Sequence, residues 1–320
     1  MGPQPSLEVT VSKTVLLATE KPFSASARNE VVAIIEQAGY TARVLESYKG
    51  KAPLFEAIAD ADAAIVRSDI IDAEVLAQAS KLALVVRAGA GYDNIDTATA
   101  KAKNIAVMNT PGQNANAVAE LVFGMLVYVA RGKFNGKTGT ELRGKTLGLH
   151  AFGAVGRAVA TIAKGFGMTV LGYDPFVKPE VFAESGVEAA SSVEDLYRRS
   201  QYLSLHVPAT AETKGSIGKQ LLSLMPQGAT LVNTARKEVI NEAELLEVFE
   251  ARKDFRYVSD IAPGEATANT LKEKFAERVF VSPVKMGAQT EEANVNAGLA
   301  AARQIVGFFE RGERQFIVNK

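Results

Sequence analysis

The sequence predicts an α/β protein of two doubly wound, Rossmann-like parallel-sheet domains, with the active site in the cleft between them. Strand-like apolar runs alternate with helix-like stretches from Thr14 onward. The runs are continuously apolar rather than alternating, as in strands buried on both faces of a parallel sheet. One stretch, Thr146–Pro175, reads as strand, glycine turn, helix, strand and terminal acid, the order of a dinucleotide-binding βαβ unit. At 320 residues the chain also exceeds what one core usually serves, about 250–300 residues.

In the first half, Thr14–Thr19, Thr41–Glu46, Ala63–Arg67, Leu82–Val86 and Ile105–Met108 read as strands. Ser24–Ala38 has helical periodicity, with Ser24 or Ser26 as a cap. Shorter helical stretches, Pro53–Ala59, Asp72–Ala79 and Ile95–Lys103, separate the strands. Thr110-Pro111-Gly112-Gln113 breaks the pattern. A long helix, about Asn116–Ala130, and the glycine- and lysine-rich segment Arg131–Gly144 lead to the second half. There, strands are expected at Tyr202–Val207, Ala229–Asn233, Tyr257–Ile261 and Val279–Ser282. Helices are expected at Val193–Arg199, Gly218–Leu224, Asn241–Arg252, Asn269–Phe275 and, last, about Glu291–Phe309.

Within the fingerprint, Thr146–His150 is the first strand, Ala158–Phe166 repeats apolar residues at helical spacing, and Met168–Tyr173 is the second strand. The turn Ala151, Gly153, Ala154, Val155 and Gly156 is expected to meet a pyrophosphate at the helix N-terminus, where backbone N–H groups lack partners. An ordinary crossover would use such glycines for helix–sheet packing alone. Ala151 stands where the pattern has its first glycine, which is tolerable only if its φ is negative. Asp174 follows Gly156 by eighteen residues. Its carboxylate suits ribose hydroxyls and repels a 2′-phosphate, so the expected cofactor is NAD rather than NADP.

Composition narrows the rest. Hydrophobic residues make up 47% and charged residues 22%, and the formal net charge is zero, so nucleic acid is not an expected partner. There is no cysteine, which excludes disulfides, thiolate nucleophiles and cysteine metal sites and fits a reducing, cytoplasmic location. With only His150 and His206, no histidine-rich metal site is expected. The longest apolar run, Leu121–Ala130, is far short of the ~20 residues that span a bilayer, so no membrane partner is expected. The opening MGPQPSLEVTVSK lacks a secretory pattern and reads as a loose extension.

Ligands of such sheets bind beyond the carboxyl ends of the strands. The residues there are Arg67 and Ser68, Arg87 with the turn Ala88–Tyr92, His206-Val207-Pro208, Asn233-Thr234-Ala235-Arg236, Asp260 then Glu265, and Lys285. The turn with Gly89 and Gly91 can present N–H groups as an anion nest. Each has a plainer reading. Arg67 and Arg87 could cap strand ends, Arg236 and Lys285 could be solvated, and Glu265 sits in a Gly-Glu loop.

At these residues the sequence resembles the D-isomer-specific 2-hydroxyacid dehydrogenases, over about Lys13 to Asn319. The matching stretches include IVRSDIIDAEVL, VVRAGAGYDNID, MNTPGQNANAVAE, GKTLGLHAFGAVGR, YLSLHVP, LVNTARKEVINEAEL and SPVKMGAQTEEANVNAG. The likeness is to a short branch without a C-terminal regulatory domain. It implies NAD-dependent hydride transfer on a small phosphorylated hydroxy or keto acid, by a homodimer joined through the cofactor domain, with Asn116–Ala130 as candidate contact. A packing role for that helix inside one subunit is the alternative.

Residue by residue, the resemblance makes Arg236 the grip on the substrate carboxylate and carbonyl, and Glu265 the partner that orients the acid/base. It puts Asp260 at the nicotinamide end of the cofactor and lines the cofactor with His206, Val207, Pro208, Thr234 and Ala235. Ala88, Gly89, Ala90 and Gly91 would hold the carboxylate, and Arg67 and Arg87 would serve phosphate and carboxylate. Most of the family reads Pro-His-Ile-Gly at the acid/base; this chain reads Pro283-Val284-Lys285-Met286-Gly287, which assigns that role to Lys285. The expected domains are 1–113 with 305–320 for substrate and 114–304 for NAD. The rivals are a hydroxypyruvate or glyoxylate reductase of the same family and a non-catalytic NAD-sensing protein.

Overall fold

The computed structural model describes residues 12–320, in two compact units: residues up to 114 with 290–320, and 115–289. The expected loose N-terminal extension lies, for residues 1–11, outside the described residues.

The first unit contains β1 (Thr14–Thr19), α1 (Ala25–Gln37), β2 (Thr41–Glu46), α2 (Ala52–Ile58), β3 (Ala63–Val66), α3 (Ala73–Gln78), β4 (Leu84–Arg87), α4 (Thr97–Ala102) and β5 (Ala106–Asn109). The C-terminal helix, Glu291–Arg311, completes it. The sheet is parallel throughout, in the order β2-β1-β3-β4-β5. Side chains alternate between two buried faces, as the continuous apolar runs require. Leu16, Ala18, Ala64, Val66 and Val85 enter one core, while Val15, Leu17, Ala63, Ile65, Leu84 and Val86 enter the other. Each buried valine, leucine or isoleucine among them stabilises the fold by about 1.5–3 kcal/mol. Ser24, Asp72 and Asp96 accept backbone N–H bonds at the starts of α1, α3 and α4, so the polar residue before each run sets the helix boundary.

The second unit contains α5 (Ala115–Ala130), β6 (Thr146–His150), α6 (Ala154–Gly165), β7 (Thr169–Tyr173), α7 (Pro179–Glu184), β8 (Glu188–Ala189) and α8 (Val193–Arg199). It continues with β9 (Tyr202–Leu205), α9 (Lys219–Leu222), β10 (Thr230–Asn233), α10 (Glu242–Ala251), β11 (Arg256–Ser259), α11 (Glu265–Lys274) and β12 (Val279–Val281). Its parallel sheet runs β12-β11-β10-β9-β6-β7-β8. The order reverses at β6, with β7 on one side and β9 on the other, which is the topological switch point of a dinucleotide-binding sheet.

Two sequence expectations are corrected. The domain division falls at 289/290 rather than 304/305, because the whole C-terminal helix packs on the first unit through Ala297, Ala301, Ala302 and Ile305. Glu265 is not in a loop: α11 begins there, four residues before the expected Asn269. The Glu242 carboxylate accepts from Gly264 N–H at 2.9 Å, fixing the cap, and Glu265 places negative charge in the first turn, where the helix dipole favours it. Of the two alternatives for helix α5, packing within one subunit is seen: it buries Val118, Val122, Phe123, Met125, Leu126 and Val129.

Candidate functional site

The glycine turn and the polar ends of β9, β10, β11 and β12 lie at the carboxyl edge of the second unit's sheet. The turn leaves β6 at Ala151, whose N–H extends the ladder to Tyr173 O at 2.9 Å. Its φ is +80°, against the negative value expected for alanine. The neighbouring bonds impose this: Phe152 N–H donates to Asp174 Oδ2 at 2.9 Å, and the Phe152 ring is fully buried against Phe182. Strain of this kind persists only where the surroundings over-determine the backbone.

Gly153 caps α6 without a side-chain hydrogen bond, and a Cβ added to it would meet nothing within 4 Å. Ala154 and Val155 form the first turn behind it. That turn faces open space with its N–H groups unclaimed by a cap, which suits an anionic diphosphate. Asp174, half-buried, also accepts from Phe176 N–H at 3.0 Å through Oδ1. Each carboxylate oxygen keeps a lone pair for a hydroxyl. Val207 and Ala235 are buried beside the turn's core, and Pro208 is exposed. Three shielded polar atoms at this edge lack hydrogen-bond partners: His206 Nε2, Thr234 Oγ1 and Asp260 Oδ1. An open cradle, an acid at the second strand end and unsatisfied polar atoms together fit the expected dinucleotide.

Both histidines are held below the ordinary imidazole range. Burial lowers the His150 pKa to about 4, and Nδ1 lies 3.1 Å from the Tyr197 hydroxyl. Burial, with a smaller contribution from His150, lowers His206 to about 3. Both are neutral where an imidazole acid would have to be charged.

Arg236 follows β10 in extended backbone, φ −146°, half-buried. The Asn233 side chain shapes its turn, accepting from Ala235 N–H and donating to Arg236 O, both at 3.0 Å. Lys285 is exposed after β12, and Glu265 is exposed at the first position of α11.

In the first unit, Arg67 follows β3, half-buried, and three of its guanidinium bonds go to Lys21 O (2.8 Å), Pro22 O (2.9 Å) and Asn294 Oδ1 (2.6 Å). Its plane lies over the Phe23 ring at 5.0 Å. Burial pushes its pKa down, and Asp69 pushes it back up. Arg87 donates from Nε to Arg67 O at 3.0 Å, and its guanidinium occupies the side-chain position of Gly89. The expected anion nest is smaller than the sequence implied. Ala88 N–H is bonded to Val66 O and Gly89 N–H to Arg87 O, which leaves Ala90 and Gly91 to carry that expectation.

Two residues that brace the first unit's strand ends, Asp69 after β3 and Asn294 on the C-terminal helix, are not among the candidates read from the sequence. Asp69, 3% exposed, accepts from Glu20 N–H, Arg67 N–H and the Tyr48 hydroxyl, tying β1 to β3. The signal was present in Arg67-Ser68-Asp69, an acid placed to bond its own backbone two residues back. Asn294 gave no local signal. Among the described residues there is no group of three His, Asp or Glu that could hold a metal, and no helix long and apolar enough to cross a membrane.

Residues 117–283 match the family model described as "D-isomer specific 2-hydroxyacid dehydrogenase, NAD binding domain", a span that coincides with the second unit. The chain is 37% identical over 273 residues to a D-3-phosphoglycerate dehydrogenase of Methanocaldococcus jannaschii, covering 80% of this chain and 51% of the relative. It thus spans about half the length of that and other phosphoglycerate dehydrogenases it matches. It is 35% identical over 278 residues to a hydroxypyruvate reductase of Thermotoga maritima, covering 82% of this chain and 89% of the relative. The crystal structure of NAD+-bound 3-phosphoglycerate dehydrogenase from Entamoeba histolytica is similar at 44% identity and TM-score 0.86, covering 97% of this chain and 99% of that one. With the Rossmann strand order, the open glycine turn and Asp174 all in the matched span, the chain belongs to the D-isomer specific 2-hydroxyacid dehydrogenase family, and its second unit is that family's NAD-binding domain.

Proposed function

We propose that the protein is an NAD-dependent D-3-phosphoglycerate dehydrogenase interconverting 3-phosphoglycerate and 3-phosphohydroxypyruvate. The observation that supports the catalytic assignment is the placement of Arg236 after β10, Glu265 after β11 and Lys285 after β12, at the carboxyl ends of three adjacent strands of the second unit. The 44% identity to the Entamoeba histolytica enzyme over nearly the whole of both chains supports the substrate class.

The nicotinamide supplies a hydride acceptor, or when reduced a hydride donor. Gly153, Ala154, Val155 and Gly156 would hold its diphosphate, Asp174 its ribose, and His206, Thr234 and Asp260 its remaining polar groups. Arg236 holds the substrate carboxylate in fork geometry and polarises the carbonyl oxygen. In reduction Lys285 gives its proton to that oxygen; in oxidation the neutral amine takes one from the hydroxyl. Glu265 favours the ammonium form electrostatically. Arg87, with the Ala90 and Gly91 amides, is the remaining anion grip.

A hydroxypyruvate reductase is the second reading. It is favoured by Arg67, three of whose five donors already serve Lys21, Pro22 and Asn294, and by the Thermotoga maritima relative of similar length. NADH consumption measured with 3-phosphohydroxypyruvate beside hydroxypyruvate decides. A higher kcat/KM for the phosphorylated acid supports the first reading, and the reverse supports the second. Lys285→Ala should lower kcat by about 10²–10⁴-fold, the range of a positioned acid/base.

A homodimer belongs to the same proposal. Since α5 buries its apolar face internally, the contact would come from the segment after it, where Phe134 is 67% exposed. Sedimentation of the intact chain tests this. A cytoplasmic location accords with a chain that has no cysteine.

A further inference from the structure

The two carboxylate oxygens of Asp260, a residue 1% exposed, have different surroundings. Oδ2 accepts from Gly287 N–H at 2.7 Å and from Met286 N–H at 3.2 Å. These are the two residues that follow Lys285. Oδ1 is shielded from solvent and has no hydrogen-bond partner. The approach is possible because residue 287 is glycine: a Cβ there would stand 3.0 Å from Oδ2 and 3.4 Å from Val118 Cγ2.

A second tether holds the other side of the segment. Ser282 Oγ donates to Val284 O at 2.6 Å, and Ser282 N–H donates to Ser259 O at 2.9 Å. Lys285 therefore lies between two fixed points, although Val284 and Met286 around it are exposed. An exposed loop with few apolar contacts opens readily unless its backbone is bonded elsewhere. A buried carboxylate oxygen without a donor is costly, so Oδ1 favours the entry of one.

We propose that Asp260 positions Lys285 by clamping the backbone at Met286 and Gly287 through Oδ2, while Oδ1 receives a hydrogen-bond donor of the bound dinucleotide, so that cofactor binding and ordering of the Lys285 loop are one event. This rests on the reading of Lys285 as acid/base. Asparagine would not substitute: it has one acceptor oxygen, which can serve the loop or the ligand's donor but not both sides.

Hydrogen–deuterium exchange on the intact chain, read over residues 282–289 with and without NADH, tests it. In the wild type the amides at 286 and 287 exchange slowly, and NADH slows them further. In Asp260→Asn the single remaining oxygen cannot serve both sides, so NADH no longer slows their exchange, and where that oxygen leaves the loop the exchange without NADH also rises about ten-fold, the factor of one hydrogen bond of ordinary net strength. Unchanged exchange at both amides, with and without NADH, overturns the proposal. If Asp260→Asn does not fold, Gly287→Ala gives the same reading, because its methyl crowds Oδ2. Faster exchange there supports the clamp, and wild-type exchange overturns it. Lys285→Ala separates the two claims, since the clamp touches only backbone. Protection persists in that variant, and normal turnover would remove the acid/base role without touching the clamp.

Discussion

A Cβ on Gly156 would stand 2.6 Å from the carbonyl oxygen of Ala151. The first turn of α6 therefore passes the end of β6 with no room for a methyl group. Gly156→Ala must displace the turn, at a cost of about 1–3 kcal/mol, the range of overpacking. NADH affinity should fall at least about ten-fold, since an amide cradle moved by a fraction of an ångström loses hydrogen bonds of about 1 kcal/mol or more each. Denaturant melts and NADH fluorescence titration check this; a variant matching the wild type in both would show that the turn relaxes freely.

Ala151 itself, at φ +80°, carries strain that glycine would not. Relief of about 1–2 kcal/mol is offset by the greater entropy of glycine in the unfolded chain, about 0.4–1 kcal/mol. Ala151→Gly is thus expected to be neutral to slightly stabilising. A loss above about 1 kcal/mol in urea melts, the scale of that entropy term, would mean that the Ala151 methyl packs usefully against the core.

Lysine chemistry sets the direction of the pH dependence. Oxidation needs the neutral amine of Lys285 and reduction needs the ammonium, and an ordinary lysine titrates near ~10.4. Oxidation should rise into alkaline pH while reduction declines. A flat oxidation rate between about pH 7 and 10, the approach to that value, counts against Lys285. Arg236→Lys should also be damaging, because an ammonium cannot form the bidentate fork.

The two largely shielded histidines should make the fold acid-sensitive. Their folded pKa values, about 4 for His150 and about 3 for His206, lie below the ordinary 6.5 that applies when unfolded. The unfolded chain therefore binds more protons in this window, and stability falls with decreasing pH from about 6.5 toward 4. Above that window the two groups contribute no pH dependence. Urea midpoints measured at intervals from pH 7.5 to 4.5 should decline below about 6.5. A flat profile would mean that both rings titrate normally in the folded state.

Arg67 joins Lys21, Pro22 and Asn294 into one cluster, so its loss should be felt in stability as well as in kinetics. Arg67→Met keeps the apolar stem over Phe23 and removes three bonds, and should cost about 1–3 kcal/mol by leaving carbonyls unpaired. If Arg67 also meets a phosphate, KM for the phosphorylated keto acid rises more than KM for hydroxypyruvate. An unchanged melting midpoint with a selectively raised KM would assign it to substrate alone.

The chain's local order determined a great deal: two parallel α/β units, the dinucleotide turn and Asp174 all follow from short-range patterns. Buried strands need continuous apolar runs, and helix starts need a capping residue one position earlier, as at Ser24, Asp72 and Asp96. Short or edge elements such as α7 and the two-residue β8 lack enough period to be read. Tertiary structure alone decided which polar groups remain available for chemistry. Arg67 is engaged by Asn294, 227 residues away in sequence, and Asp260 reaches 27 residues forward to Gly287. Likewise Ala151 takes a positive φ because Tyr173 and Asp174 hold its neighbourhood from another strand. Hydrogen-bond commitment and burial are properties of residues brought together by folding, so no local pattern in the sequence encodes them.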